Sequence, residues 1–481
     1  MASELKRLTA STLKWNTIDR VSSQVIYAVV GIVLANRLSK EDFGLVGVLT
    51  VFQAFAIIFV DSGFGAALLQ KKEPRQEDYS TVFWFNLAVS AAVYAILFLS
   101  AGAIARFFHD TRLVAMSRVM FLSFVVNGLA IVQTNRLMKR MQMRPVAIAN
   151  VAGLMVSGLI GILMAAYGCG AWALVWQTLS LAIVKTTVLW LRGDWFPSWI
   201  FSRESLIHIR RVGLSVFSTS LLNTIFQQIY NFAIGAFYSL SLLGVYTQAD
   251  KWSKMGSASI SQILTSSFVP LLSRVQDNPD HFQRYVERID RFTALILLPF
   301  MTGLAVVGPA LFHTLFGTKW DEAIPLFRIL MLRGIFVVLQ SLCNNYLLSL
   351  GRAKAIFAME VMKDTLTAAA LLSTIWTMSL PYLVWGQFAA SAMTWAGALI
   401  IVRKSCGIKI RSMLSHLAPF AAATAVMSAA TLATGILIDS NAPVTLVAQV
   451  AAGAGSYILL MLLFRLPETS EALAMLSKKK L

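Results

Sequence analysis

Stretches of about 20 apolar residues recur along almost the whole chain, and they constrain its fold more than any other feature. A helix of that length crosses the hydrocarbon core of a bilayer. With 57% hydrophobic and 13% charged residues, the 481-residue chain is also too apolar for a soluble domain. The sequence therefore predicts an all-α polytopic membrane protein. The predicted spans, about fourteen in number, lie near residues 14–36, 43–69, 79–105, 114–135, 146–166, 171–191, 213–237, 243–272, 292–316, 323–350, 354–379, 382–402, 413–437 and 444–465.

Positive charge is distributed unevenly between the predicted loops. With the N-terminus inside, the cytoplasmic segments hold 28 Lys and Arg residues, whereas the opposite side holds five. Cytoplasmic loops of membrane proteins carry an excess of Lys and Arg. This distribution predicts an even number of spans with both termini in the cytoplasm. It also explains the net charge of +18 without a nucleic-acid partner.

The first six predicted helices resemble the next six. Because six is even, both halves enter the membrane in the same direction, which predicts a parallel repeat with a central site between two lobes. The predicted divisions are an N-lobe at 1–191, a cytoplasmic interfacial linker at 192–212, a C-lobe at 213–402, and an accessory region with two spans and a basic tail at 403–481. The matching pairs are Arg118 and Arg328, Asn135 and Asn345, Arg144 and Lys354, and Gln177 and Gln387, each 210 residues apart, and Gly44 and Gly244, which are 200 apart.

Two polar segments are expected at the cytoplasmic surface of the membrane. The linker "RGDWFPSWIFSRESLIHIRR" (Arg192–Arg211) combines tryptophans with arginines, as interfacial segments do. The segment Ser273–Arg291 is predicted to include a short amphipathic helix at the same surface.

Eight of the 41 Lys and Arg residues lie inside the predicted spans. A charged side chain at the centre of a bilayer costs roughly 2.5–3.5 kcal/mol on insertion scales, so such residues usually face a protein interior or a wet cavity. Several together indicate a pathway for something anionic. They are Arg20, Arg118, Lys185, Lys251, Lys254, Arg328, Arg333 and Lys363.

Lys251 and Lys254 are the strongest candidates for an anion site. They are three residues apart and share a helix face, in a span that also carries several serines. Two ammonium groups on one hydroxyl-lined face fit a doubly charged group such as a pyrophosphate. Asp250 is expected to neutralise one of them. Arg20, next to Asp19 but pointing about 100° away from it on a helix, is a further ligand candidate.

The other embedded cations have alternative explanations. Lys363 can pair with Glu360 one turn earlier or contact substrate, Lys185 has no acidic neighbour in sequence, and Arg333 lies deep in its span. These three are included among the candidate substrate contacts. Arg118 and Arg328 lie about five residues inside the outer helix ends and can extend to the interface instead.

Three acids are candidates for binding a coupling proton or Na⁺, namely Asp61, Asp250 and Asp364. Asp61 precedes Gly63 and Gly65, and glycines there allow a kink or a tight helix crossing. A structural role for Asp61, as a cap or as the partner of a cation, is the alternative.

The chain lacks the usual marks of an enzyme. It contains no GxxxxGK[ST] phosphate loop, its five histidines form no HExxH-type pair, and Cys169, Cys343 and Cys406 are scattered. We therefore expect no catalysis, no metal and no cofactor.

Several stretches resemble a known family. "RLSKEDFGLVGVLTVFQAFAIIFVDSGFGAALLQKKEPRQEDYSTVFWFN" (Arg37–Asn86), "LLGVYTQADKW", "FVPLLSRVQDNP" and "LFGTKWDEAIPLFRIL" are similar to Wzx-type polysaccharide flippases, closest to the fourteen-helix branch that includes colanic-acid exporters. In the stretch where many relatives carry Tyr-x-x-Ala-x-Arg, Lys251 stands at the Arg position. Tyr230, where many have Asp, and Asp250, where an aromatic is common, depart from the pattern and weaken any carried-over ion coupling in the seventh helix.

The resemblance implies a MATE-like fold of the multidrug, oligosaccharidyl-lipid and polysaccharide exporter (MOP) superfamily. It also implies a substrate, an undecaprenyl-pyrophosphate-linked oligosaccharide, flipped across the bacterial cytoplasmic membrane for exopolysaccharide or lipopolysaccharide synthesis. The expected partners are this glycan, membrane lipids, and the polysaccharide polymerase and co-polymerase. The hypothesis is alternating access through a cationic cavity, powered by a H⁺ or Na⁺ gradient.

Three other functions were weighed against this hypothesis. A lipid II flippase is the nearest alternative. A MATE-like exporter of drugs or organic cations needs cavity carboxylates, yet eight embedded cations face five embedded acids here. A membrane scaffold without transport activity has no need of so many buried charges.

Overall fold

A computed structural model describes residues 2–61, 63–408, 410–438 and 441–464, and within these ranges the chain is helical with no strand. Two 3₁₀ turns, at Gly317–Trp320 and Ile375–Thr377, join longer helices. The helices are α1 (Ala2–Arg37), α2 (Lys40–Asp61), α3 (Phe64–Gln70), α4 (Gln76–Phe107), α5 (Arg112–Lys139), α6 (Met143–Ala166), α7 (Trp172–Arg192), α8 (Arg203–Phe237), α9 (Leu240–Ser273), α10 (Pro279–Phe316), α11 (Ala323–Ser349), α12 (Ala353–Thr374), α13 (Leu380–Cys406), α14 (Ile410–Leu437) and α15 (Ala442–Leu463).

Every predicted span overlaps a long helix, which confirms an all-α multi-pass membrane protein. Within the described ranges, 11 helical segments are long and apolar enough to cross a membrane. The helices outside that group are α3, which is short, and α8, α9 and α12, which are long but more polar. The exact count of fourteen spans therefore stays a prediction.

The predicted kink after Asp61 is confirmed. The helical stretch breaks there into α2 and α3, and Gly63 between them adopts the left-handed φ of 68° that glycine tolerates best. A Cβ atom at Gly63 would also overlap the carbonyl oxygen of Gly213 in α8. Both the turn and the tight crossing therefore need glycine here.

The chain forms two compact units, Met1–Gly244 and Val245–Leu481. In the first, α4 packs on α5, α7 packs on α5 and α6, and α1 packs on α6; in the second, α13 packs on α11 and α12, and α10 packs on α11 and α14. The order of packed helices is similar in both, and Met143 and Ala353, which begin α6 and α12, are 210 positions apart. The lobe and linker boundaries drawn from the sequence stay a prediction.

The last two helices are built into the second unit by packing against α10. A buried cluster joins Ala294 of α10 to Phe420 of α14 and Met461 of α15. The hydroxyl of Tyr457 donates to the carbonyl of Leu295 at 3.0 Å. Although these helices lie outside the sequence repeat, they share the second unit's core.

Residues 193–202, which follow α7, run along the start of α4. Trp195 Nε1 donates to Gln76 Oε1 at 2.6 Å, the Ser198 and Ser80 hydroxyls are 2.9 Å apart, and Trp84 Nε1 donates to the Ser198 carbonyl at 2.9 Å. Trp195 is only 3% exposed. This tryptophan therefore fixes the segment to the protein, a role that the expected interfacial placement did not include.

Asp194, in the same segment, forms ion pairs with Arg136 and Arg140 of the α5 end. Slight burial alone would raise the pKa of the Asp194 carboxyl, but the hydrogen bonds and charges of the two arginines outweigh it and hold the pKa below its usual value. The Asp194 carboxylate thus neutralises part of the positive charge at this end of α5.

The expected short helix in Ser273–Arg291 is not separate from the span that follows. Asn278 caps α10 by accepting a hydrogen bond from the His281 backbone at 3.1 Å, and Pro279 occupies the first helical position. From there α10 continues without interruption to Phe316. The amphipathic segment is the first part of one long helix.

Gly44 and Gly244, the pair that is 200 positions apart in the repeat, lie where the starts of α2 and α9 cross. A Cβ at Gly44 would overlap the carbonyl oxygen of Leu240, and a Cβ at Gly244 would overlap that of Lys40. Each glycine thus lies against the backbone of the other helix, and backbone atoms cannot move away from an added methyl group as the end of a flexible side chain can. Glycine at both positions therefore permits this close approach.

We predict that Gly44→Ala lowers the free energy of unfolding by about 1–3 kcal/mol, because the added methyl group forces packed helices apart. Gly102→Ala is the matched control, since Gly102 is also helical but nothing lies within 4 Å of its added Cβ. The unfolding midpoints of the two variants in detergent provide the test. Equal midpoints would contradict the close crossing.

Candidate functional site

In the first unit, a polar cluster joins α1 to α6 and α7. Asp19 accepts hydrogen bonds from Asn150 Nδ2 at 3.0 Å and from Ser23 Oγ at 3.3 Å. Lys185 of α7 lies within electrostatic range of the Asp19 carboxylate. The acidic neighbour that Lys185 lacks in sequence is therefore supplied by α1.

Arg20 follows Asp19 on α1 and is exposed. It borders a cleft of about 520 Å³ between α1 and the α5–α6 turn, lined also by Asp19, Ser23 and Met141. No hydrogen bond or ion pair joins Arg20 to another described residue. Its guanidinium group can therefore meet an anion from outside the protein.

Asp61 ends α2 beside Gly65 and Asn135. A Cβ at Gly65 would stand 2.8 Å from Asp61 Oδ1 and 2.5 Å from Asn135 Nδ2. The glycine thus leaves room for a carboxylate and an amide on the same face of α3. Binding of a coupling ion by Asp61 stays a prediction.

In the second unit, α9 presents both candidate lysines. Lys254 forms an ion pair of 2.6 Å with Asp250 one turn earlier, which confirms that Asp250 neutralises one of the two. The Lys254 side chain is 52% exposed, whereas Asp250 is buried. The Lys251 ammonium lies 5.2 Å from the ring centroid of Trp252.

Arg333 lies beside the crossing of α9 and α11. A Cβ at Gly334 would stand 3.4 Å from Ser257 Cβ, so the two helices approach closely there. Arg333 Nε donates to Ser391 Oγ of α13 at 3.0 Å. Its hydrogen-bond partner is neutral, so its charge is not cancelled within the described part of the chain.

Lys363 forms the intrahelical pair that the sequence predicts. Its ammonium pairs with Glu360 and lies 3.6 Å from Asp364. Whether Lys363 also contacts substrate, and whether Asp364 also binds an ion, are predictions that the geometry does not test.

Arg118 and Arg328, expected near the outer interface, are both exposed. The Arg118 guanidinium stacks over Phe98 of α4, 4.4 Å from the ring centroid. Arg328 borders a cleft of about 420 Å³ between α10, α14 and α15. Both positions suit long side chains that extend toward water.

Sequence reasoning missed Asp290, which lies in the segment Ser273–Arg291 that the sequence places at the cytoplasmic surface. It is 4% exposed in α10 and accepts a hydrogen bond from the buried Tyr346 hydroxyl at 2.6 Å, and its second oxygen has no partner among the described residues. Helical spacing was a usable signal, because Asp290 follows Phe282 and Val286 on the apolar face.

No metal centre accompanies these groups in the described ranges. No three His, Cys, Asp or Glu side chains approach one another there in a way that could hold an ion. The candidate site is therefore a set of cations, acids and hydroxyls on membrane helices, and a set of this kind suits binding of an anion.

Comparison with known families identifies the group to which such a chain belongs. The profile of the family described as "Polysaccharide biosynthesis protein" matches residues 33–325, which is more than half of the sequence. The chain belongs to this family.

Individual relatives agree with the family. The chain is 26% identical over 386 residues to the teichuronic acid biosynthesis protein TuaB of Bacillus subtilis (strain 168), covering 78% of each sequence. It is 24% identical over 358 residues to the succinoglycan biosynthesis transport protein ExoT of Rhizobium meliloti (strain 1021), covering 74% of this chain and 72% of ExoT.

Solved structures agree on the fold. The chain is similar to the lipid II flippase MurJ in an inward closed conformation, with a TM-score of 0.76 at 11% identity over 93% of this chain and 98% of that one. The fold is thus similar to that of MurJ, in agreement with the fold that the resemblance in the sequence implied. At this identity the likeness concerns the fold alone.

We predict that Asp19 and Lys185 stabilise each other. Asp19→Asn and Lys185→Gln should each destabilise the protein, and the double variant should show a coupling free energy of about 0.5–3 kcal/mol. Unfolding midpoints of the four proteins measure this coupling. In the control cycle, Asp19→Asn with Arg118→Gln should be additive, because Arg118 packs on α4. Additivity in both cycles would show that Lys185 does not depend on Asp19.

Proposed function

We propose that this protein is a flippase for undecaprenyl-pyrophosphate-linked oligosaccharide units in bacterial polysaccharide synthesis. The observation that carries the proposal is the pair of guanidinium groups, Arg20 and Arg333, on membrane helices of a polysaccharide-biosynthesis family member. Neither has a carboxylate partner within the described ranges. The family gives the class of product, and these cations suit the charged part of its carrier.

The physical task is to move two phosphates and a sugar chain through a low-dielectric slab. Stripping water from such charges is prohibitive unless other groups replace it. Arg20, Lys251, Lys254 and Arg333 are proposed to contact the pyrophosphate in a hydrated cavity while the lipid tail stays in the bilayer. Alternating access then exposes the headgroup to each side in turn.

The paired cations have a second role in this mechanism. Lys363 already forms an ion pair with Glu360, and Lys185 is attracted electrostatically by the Asp19 carboxylate, so both are proposed as weaker contacts that help release. Binding must stay reversible, because a headgroup held too tightly would not leave on the far side.

The energy source is proposed to be an ion gradient. Asp61, Asp250 and Asp364 are the candidate acids for H⁺ or Na⁺, and Asp250 is suited to it because one of its buried oxygens has no hydrogen-bond partner in the described part of the chain. The proposed location is the bacterial inner membrane, with both termini in the cytoplasm and a polymerase and co-polymerase acting on the product.

We predict that the double charge reversal of Lys251 and Lys254 to Glu abolishes export of polymer. Hydrogen bonds to charged groups are worth about 1.5–3 kcal/mol, so even one lost contact should reduce transport roughly ten-fold. The assay measures surface polymer and lipid-linked precursor in cells lacking the native copy. Precursor should accumulate as polymer disappears.

Arg118→Glu is the matched control, since it reverses an exposed embedded charge that packs on Phe98. It should export normally at equal protein level. Normal export by the lysine variants would remove those lysines from the site. Transport of lipid II or of an organic cation in proteoliposomes, with no transport of the oligosaccharide carrier, would instead favour a lipid II flippase or a drug exporter.

A further inference from the structure

A second cationic site lies at the end of the second unit where α11, α12 and α13 meet. The turn between α11 and α12 and the last turn of α13 border a cleft of about 670 Å³. Arg352 and Lys354 lie on one side of the cleft, and Lys404 and Ser405 lie on the other. None of these residues belongs to the proposed transport site.

In the part of the chain that the structure describes, no carboxylate neutralises the three positive groups in this cleft. All three side chains are exposed, and no ion pair joins any of them to a carboxylate among the described residues. Like charges gathered in one cleft repel each other, and an anion bound between them would replace this repulsion by attraction.

At the corresponding turn of the first unit, the protein itself supplies partners for the positive side chains. There the turn between α5 and α6 also carries positive charge, but Arg140 pairs with Asp194, and Arg144 lies over the Trp15 ring, 5.4 Å from its centroid. The residue 210 positions after Asp194 is Lys404. Where the first unit supplies a carboxylate, the second supplies a further cation.

The chemistry of the cleft favours a phosphate group. The N-terminus of α12, a helix of 22 residues, borders the cleft, and the dipole of this helix favours negative charge there. The Ser405 hydroxyl and the three cations add donors suited to phosphate oxygens. A carboxylate could use fewer of these donors than a phosphate.

Apolar side chains beside the cleft indicate that the phosphate belongs to a lipid. Ile401 lines the cleft, and Phe357, one turn into α12, is 71% exposed. In a membrane protein such exposed apolar side chains can contact hydrocarbon chains. Basic pockets between membrane helices are known to hold anionic lipid headgroups.

We propose that Arg352, Lys354, Lys404 and Ser405 bind the phosphate headgroup of a membrane lipid. The lipid is either an anionic phospholipid or a polyprenyl carrier, since both present a phosphate on a hydrocarbon chain. The inference does not depend on the proposed transport function, because the site lies within the second unit and shares no residue with the transport site.

The test uses the full-length protein in detergent and native mass spectrometry with three probes: cardiolipin, farnesyl pyrophosphate and inorganic phosphate. In the triple variant Arg352→Gln, Lys354→Gln, Lys404→Gln, affinity for at least one lipid probe should fall roughly ten-fold or more. Lys404→Asp should lower the affinity similarly, because it places a carboxylate at the position that matches Asp194 of the first unit. Lys404→Arg should bind as the wild type does.

The matched control removes three other exposed cations, as Lys72→Gln, Arg203→Gln, Arg274→Gln. Its affinity should stay within two-fold of the wild type. Equal loss of affinity in the control and test variants would show that net charge alone determines binding, and this would overturn the site. Unchanged binding in the test variant would overturn it as well, and so would binding of inorganic phosphate without either lipid probe. Preference for cardiolipin identifies a phospholipid, and preference for farnesyl pyrophosphate identifies the carrier.

Discussion

A charge inside a membrane helix must find a partner, because lipid offers none, and this constraint shapes the whole arrangement of charged side chains. Some partners are local, as in Lys254 with Asp250, one helical turn apart. Others come from a distant helix, as with Lys185 and Asp19. Removing one member of such a pair leaves the charge of the other without compensation.

The cations that escape this pairing are the functionally informative ones. Arg20 is exposed beside a cleft, and among the described residues Arg333 has a serine hydroxyl and no carboxylate as its partner. A structural role would be served better by a carboxylate, which cancels the charge as well as accepting the hydrogen bond. The family membership gives this surplus of positive charge a purpose, because the lipid carriers of polysaccharide synthesis are phosphorylated.

The sequence predicted what depends on local pattern. Apolar stretches placed every long helix, the glycines after Asp61 marked the break between α2 and α3, and spacing along one helix predicted the pair of Lys363 with Glu360. These features need only the periodicity of a helix and the size of a side chain. Neighbours three or four residues apart meet whatever the rest of the fold does.

Contacts that depend on tertiary packing could not be predicted in this way. The partners Asp19 and Lys185 lie on α1 and α7, and nothing near either in sequence points to the other. Trp195 looked interfacial because its neighbours are polar and aromatic, yet α4 buries it. Asp290 had a readable signal in its helical spacing, but the polar residues around it favoured a segment at the membrane surface.

The two halves of the repeat differ in the charges around the turn before their last shared helix pair. The order of packed helices is similar in both units, so the difference at these matching positions lies in the side chains. In the first unit, the Asp194 carboxylate neutralises part of the positive charge. In the second unit, the matching residue is Lys404, which adds a positive charge. A repulsive cluster costs stability in isolation. The presence of such a cluster in one half is understandable if that half binds an external anion. The two units then differ in the chemistry of this turn while they remain alike in fold.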